Sequence, residues 1–191
     1  MNREKEEKIL EIKNKIKNEC VESKSIDDWF FDKHLLSVEK YAKFLLEKLP
    51  EANSEEVLLS VWLHDIQRIR GLKGDHAKAG AQEAVRFLQD FKYDETTIKN
   101  VEGVILAHPC DSNILPQTLE EKILASADAM SHYSNDFYFL IAVSGRMDLN
   151  EFKEFVLEKL DRDFNKKIFF NFAKEEIKDR HDVLMKVFTM N

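Results

Sequence analysis

The chain has 191 residues, of which 43 % are hydrophobic and 34 % charged, enough for one buried core without disulfides or a structural metal. A formal charge of −7 excludes a general attraction for nucleic acid or an anionic membrane surface. Only 5 Gly and 3 Pro in that length exclude a sandwich or barrel, which needs frequent turns, and favour long helices.

The opening MNREKEEKIL is charged and has no apolar signal core. The residues to about 20 alternate charge with Ile9, Leu10, Ile12 and Ile16, which predicts an amphipathic, mostly solvated helix. Asp27 or Asp28 caps a second helix that runs to Leu49, before Pro50. Asn53 with Glu56 has the spacing of a capping box and opens a third. Its body, VLLSVWLHDI, is apolar nearly all round, so this helix is central. Gly71 and Gly74 break the pattern, and Asp75 caps a fourth helix from His76 to about Asp90. Ala77, Gly80, Ala81 and Ala84 give that helix a close-packing face.

Asp94 opens a fifth helix, which stops at His108 because Pro109 cannot continue it. Thr118 with Glu121 caps a sixth. A short apolar helix follows near 136–144, and Asp148 with Glu151 caps the next. The last runs from Ile168 to Phe188. No segment alternates with period two for long enough to be a strand, so the fold class is all-α. The longest apolar run, 137–143, is too short to span a bilayer. Cys20 and Cys110 form no disulfide framework, so a cytoplasmic location is expected.

Several polar residues fall on faces that should point inward. His34 shares a stripe with Phe31, Val38, Tyr41 and Leu45. His64 and Asp65 end the run VLLSVWL, and His108 ends the stripe Ile98, Val101, Ile105. Asp128 follows Leu124 by one turn within ILASADAM. An inward carboxylate is costly unless it is paired or bound to a metal. Helical bundles build metal sites from such side chains on facing helices. His132 lies one turn after Asp128 and either supports the site, touches substrate, or is an exposed partner of Asp136. His181 with Asp182 reads as a partly solvated helix flank.

In order, the set is His34, His64-Asp65, His76, His108 and Asp128, with spacings of 30, 12, 32 and 20 residues. Together with VWLHDIQR, GDHAKAGAQEAVRFL, VEGVILAHP and EEKILASADAM, it resembles the HD-domain superfamily of metal-dependent phosphohydrolases. The resemblance covers roughly residues 27–135. It implies an HD-like helical core over that range and a helical extension over 136–191, within one domain of residues 1–191.

The resemblance also implies a ligand set. His34, His64, Asp65 and Asp128 would hold one ion. His76 and His108 would add a second, with Asp65 bridging. Such a set of imidazoles and carboxylates suits Mn, Fe, Co, Ni or Zn. The implied activity is hydrolysis of a small phosphorylated substrate, a nucleotide included, through a metal-bound hydroxide. Asp65 and Arg68 are the catalytic candidates, and Arg68 and His132 the substrate-binding ones. Lys73 and Arg70 are weaker phosphate candidates. The same six-ligand pattern occurs in mixed-valent di-iron oxygenases, which is the competing reading, and a non-catalytic helical module is a third. The expected partner is a small phosphorylated molecule, with no membrane and no general nucleic-acid binding; self-association is left open.

Metal content per chain separates one ion from two. Asp65→Ala should lose most of the metal and all activity. His76→Ala and His108→Ala should each keep about one equivalent, because the first ion retains its protein ligands. On sequence alone His132 stands outside the ligand set, and His132→Ala should keep the full load. Wild-type metal content and rate in both His76→Ala and His108→Ala would mean a mononuclear site.

Overall fold

Side-chain caps set where most of the helices begin. The computed structural model describes residues 2–110, 114–134 and 136–190, and the side chain of His76 lies outside the described set. In chain order the helices are α1 (Arg3–Glu22), α2 (Leu36–Lys48), α3 (Ser54–Leu63), α4 (Ile66–Ile69), α5 (His76–Asp90), α6 (Glu95–Ala107), α7 (Leu119–Ser131), α8 (Phe137–Val143), α9 (Leu149–Arg162) and α10 (Asn171–Thr189). Asn2, Asn53, Asp75, Asp94, Thr118 and Asp148 each accept first-turn N–H groups that no helical carbonyl can reach. Thr118 with Glu121, and Asp148 with Glu151, form full capping boxes. The fold is all-α, with no strand among the described residues. None of their helices is long and apolar enough to cross a membrane.

Three local expectations need correction. Asp27 and Asp28 cap nothing. The second helical segment opens instead as a π-helical turn, Phe30–Leu35, that runs directly into α2. The Asp27 carboxylate is drawn away to Arg146, at 2.5 Å. Asn53 caps α3, but Glu56 does not answer it: its carboxylate accepts from Asn100 at 2.9 Å, and Glu120 accepts the Asn53 N–H at 2.9 Å. The last helix starts at Asn171 rather than Ile168. A second π-helical turn, Asp163–Lys167, extends α9, and the chain then passes through extended backbone. The Ser126 hydroxyl pins that stretch by donating to the Lys167 carbonyl and accepting the Phe169 N–H, at 3.3 and 3.0 Å.

The core forms around α3, where every residue from Glu55 to Leu63 is buried. It packs against α1, α2, α6 and α7, while α2 lies along α7 and α5 along α6. From α1 only Ile9, Ile12, Ile16 and Cys20 are buried, a single stripe at helical spacing. Gly71 and Gly74 adopt positive φ, which lets the chain reverse between α4 and α5. A Cβ on Gly80 would stand 3.3 Å from the His64 carbonyl, so the small-residue face of α5 closes tightly on the end of α3. The C-terminal helices pack on each other, and the π turn after α9 packs on α7.

Urea denaturation tests the central place of α3. Leu59 is fully buried, so Leu59→Ala should destabilise by about 3–4 kcal/mol. Leu10 is 54 % exposed on α1, and Leu10→Ala should change stability by no more than about 0.5 kcal/mol.

Candidate metal centre

Helix ends deliver most of the site. The last carbonyls of a helix lack intrahelical donors. At α3 and α6 a histidine just past the end uses one of them. His64 Nδ1 donates to the Val61 carbonyl at 2.8 Å, and His108 Nδ1 donates to that of Ile105 at 2.5 Å. A carbonyl only accepts, so Nδ1 carries the proton in both rings and the neutral ring has its lone pair on Nε2. Such ties fix the tautomer and orientation of metal-ligating histidines.

His34 reaches the same state by another route. It sits in the π-helical turn, and its Nδ1 lies 3.2 Å from Ser131 Oγ. The single hydroxyl proton of Ser131 goes to the Asp128 carbonyl at 2.7 Å, so His34 Nδ1 is the donor to Oγ. His34 Nε2 then faces Asp65 Oδ2 at 3.1 Å, acceptor against acceptor. Two acceptors this close call for a proton or a metal ion between them. His64 Nε2 is buried and has no hydrogen-bond partner among the described residues. It too points at the carboxylates, 3.4 Å from Asp65 Oδ2 and 3.9 Å from Asp128 Oδ1. The orphaned His64 Nε2 and the convergence of His34, Asp65 and Asp128 on it fit a bound divalent ion.

Both carboxylates divide their oxygens. Asp65 turns Oδ2 to the imidazoles and Oδ1 to the Arg68 Nε, at 3.1 Å. Asp128 turns Oδ1 to the imidazoles and Oδ2 to Lys167 Nζ, at 2.6 Å. The nearest ligand atoms of His34, His64 and Asp65 lie within 4.8 Å of one another, as do those of His34, Asp128 and His132. Donors on one ion with bonds of about 2.1 Å can be no more than about 4.2 Å apart, so small side-chain adjustments would close either group.

Burial shapes the charges. It pushes the His64 imidazole below its ordinary value, and it pushes His108 down to about 3, with His64 adding to the effect. His132 falls to about 4 through burial and then through Lys159. These imidazoles are neutral near pH 7, as metal ligation needs. Burial alone would raise Asp128, but Lys167 and the surrounding imidazoles outweigh it and hold this carboxyl well below the usual range.

The structure gathers His34, His64, Asp65 and Asp128 in one buried cluster. The His108 ring stands edge-on to His64 with centroids 5.2 Å apart, and it lines one cavity with His34, Asp65 and Asp128. The His76 backbone opens α5, and its side chain lies outside the described residues. Arg68 lies at the rim, its side chain 56 % exposed. Arg70 turns away to Glu19 and Glu83. His132 is not the exposed partner of Asp136: it is buried, and its Nδ1 contacts Asp163 Oδ2 at 2.8 Å. Asp136 pairs with Lys33 instead. His181 stacks on Phe164, with ring centroids 4.1 Å apart.

Sequence reasoning missed Ser131, Lys159, Asp163 and Lys167. The last three fall in the charged stretch EKLDRDFNKK, which reads as a solvated face. Yet Asp163 and Lys167 are buried, and Lys159 reaches Asp163 at 3.3 Å. The one available signal was the apolar run IFF immediately after Lys167, which marks chain returning to the core.

The family model described as the HD domain matches residues 31–132. The fold is similar to that of a HD-superfamily hydrolase from Bacillus thuringiensis, at 24 % identity and a TM-score of 0.68, covering 96 % of this chain and 94 % of that one. It is also similar to a predicted HD-superfamily hydrolase from an uncultured Thermotogales bacterium, at 20 % identity and a TM-score of 0.62, covering 93 % and 87 %. At these identities the likeness is one of fold. No curated protein sequence matches the chain. The family match spans more than half of the residues and contains the whole histidine–aspartate cluster, and on it the chain belongs to the HD-domain family.

Proposed function

We propose that the protein is a metal-dependent phosphohydrolase acting on a small phosphorylated compound, with a nucleotide well suited to its cavity. The observation that carries this reading is the lining of that cavity, about 720 Å³ in volume. His34, Asp65, His108, Asp128 and His132 line it together with Arg68, Arg146, Lys159, Arg162 and Lys167. So many cations on one cavity of a chain with charge −7 is a local concentration suited to an anion. Each has a carboxylate neighbour. The arginines nevertheless keep spare N–H donors, since a guanidinium has five. Trp29, Phe30, Phe137 and Phe155 supply an apolar wall against which a flat ring could pack. The volume lies within the range of small-molecule sites.

The residues divide the work by position. His34, His64, Asp65 and Asp128 would hold one ion, and His76 and His108 a second, with Asp65 bridging. The mixed N/O donor set suits Mn, Fe, Co, Ni or Zn. An ion held there supplies Lewis acidity towards a phosphoryl oxygen and activates a water. Arg68, tied through Nε to Asp65, would turn its remaining N–H groups towards a phosphate oxygen and orient the group over the cluster. Lys167 offsets the Asp128 charge, so an anionic substrate meets less repulsion at the floor. No side-chain nucleophile is needed.

Residues 1–191 are read as one domain, with the HD-like core at about 27–135 and the extension at 136–191. This reading is supported by the extension itself, which gives Lys159, Arg162 and Lys167 to the cavity. The free thiols of Cys20 and Cys110 agree with a cytoplasmic protein.

A panel of phosphomonoesters and phosphodiesters, assayed with Mn, Co, Ni and Zn, tests the proposal. At least one ester should release phosphate, and a chelator should stop it. Arg68→Ala should lower kcat/KM by about 10–100-fold, the effect of losing a charged hydrogen bond, with metal content unchanged. No turnover with any metal, together with O₂ consumption by the iron-loaded protein, would replace this reading with the di-iron oxygenase.

A further inference from the structure

We propose that His132, oriented by Asp163, is a further ligand of the metal centre. The inference rests on reading the cluster as a metal site and concerns two residues that the four-residue set His34, His64, Asp65 and Asp128 does not contain.

Three imidazole nitrogens surround one carboxylate oxygen. Nε2 of His132, His34 and His64 lies 3.6, 3.7 and 3.9 Å from Asp128 Oδ1. All three distances exceed the roughly 3.2 Å limit of an N–H···O hydrogen bond. The His132 distance matches the spacing of neighbouring donors on one ion and the other two come close to it: bonds of about 2.1 Å at 110–120° put donors about 3.4–3.6 Å apart. His132 therefore stands to Asp128 as His34 and His64 do. The His34 and His132 rings are parallel within 1°, with centroids 5.6 Å apart.

The other side of the ring is fixed as in a ligating histidine. His132 Nδ1 lies 2.8 Å from Asp163 Oδ2, and a carboxylate only accepts, so Nδ1 holds the proton and Nε2 the lone pair. A carboxylate–histidine–metal relay has this form. Asp163 is fully buried and already has cations beside it, Lys159 at 3.3 Å and Arg162 at 3.5 Å. These cations share in offsetting its charge, while its hydrogen bond aims the imidazole. The sequence places the pair simply. His132 is one turn beyond Asp128 at the end of α7, and the π-helical turn carries Asp163 against α7. The assignment replaces the expectation that loss of His132 leaves the metal load intact.

Cobalt titration of the metal-free, full-length protein tests it, read by calorimetry and by the visible absorption of Co²⁺. His132→Asn is the informative variant: its amide can still donate to Asp163 from near the Nδ1 position, but it lacks Nε2. Its Co²⁺ affinity should fall by at least about tenfold, with an altered visible band. Asp163→Asn, which keeps the imidazole but loosens its aim, should show a smaller loss in the same direction. Melting curves of the metal-free variants check that they fold. If His132→Asn binds Co²⁺ with wild-type affinity and spectrum, His132 only serves Asp163 and the assignment is overturned. If the wild type takes up no Co²⁺, the metal-centre reading fails and the assignment with it.

Discussion

The Asp128 carboxylate is the constraint around which the site is arranged. It lies in the last turn of α7, buried in the core, where an unpaired charge would cost several kcal/mol. Its two oxygens meet different needs. Oδ2 is held by Lys167, and Oδ1 is left facing a ring of imidazole nitrogens at distances no hydrogen bond can use. Everything nearby follows from that division. Lys167 must be buried to reach Oδ2, so the chain after α9 has to return to α7. The Ser126 hydroxyl holds it there through the backbone on both sides of Ile168.

The imidazoles are fixed by equally local chemistry. Helix C-termini leave carbonyls without donors, and His64 and His108 use those carbonyls to lock their own tautomers. His34 uses Ser131, which is itself tied to the Asp128 backbone. The helix ends thus serve both the fold and the site. Removing a histidine here also frees a carbonyl or a hydroxyl, so these positions resist change for two separate reasons.

Much of this was legible in the sequence, because the capping residues and inward stripes depend on neighbours three or four positions apart. Asp75, Asp94, Thr118 and Asp148 cap as their spacing predicts. His34, His64, Asp65 and Asp128 meet because each lies on an inward face or at a helix end. What escaped the sequence depends on distant partners. Asp27 fails as a cap because Arg146, far along the chain, takes its carboxylate. Glu56 leaves its capping box for Asn100. Asp163 and Lys167 look solvated in a charged run, and only the packing of the π-helical turn on α7 buries them. His132 was ambiguous for the same reason, since its partner lies 31 residues away.

The cavity joins the two parts of the chain. The HD-like core brings the histidines and aspartates, while the C-terminal helices bring Lys159, Arg162 and Lys167. An acidic protein thereby gathers cations in one cavity above side chains that could hold a metal ion, and the proposed phosphate substrate would sit between them. Anomalous X-ray scattering from crystals grown with Mn²⁺ or Zn²⁺ tests this most directly. The account predicts a peak about 2.1 Å from Asp128 Oδ1 and from Nε2 of His34 and His64. A metal bound only elsewhere on the protein, with these side chains still 3.7 and 3.9 Å from Oδ1, would contradict it.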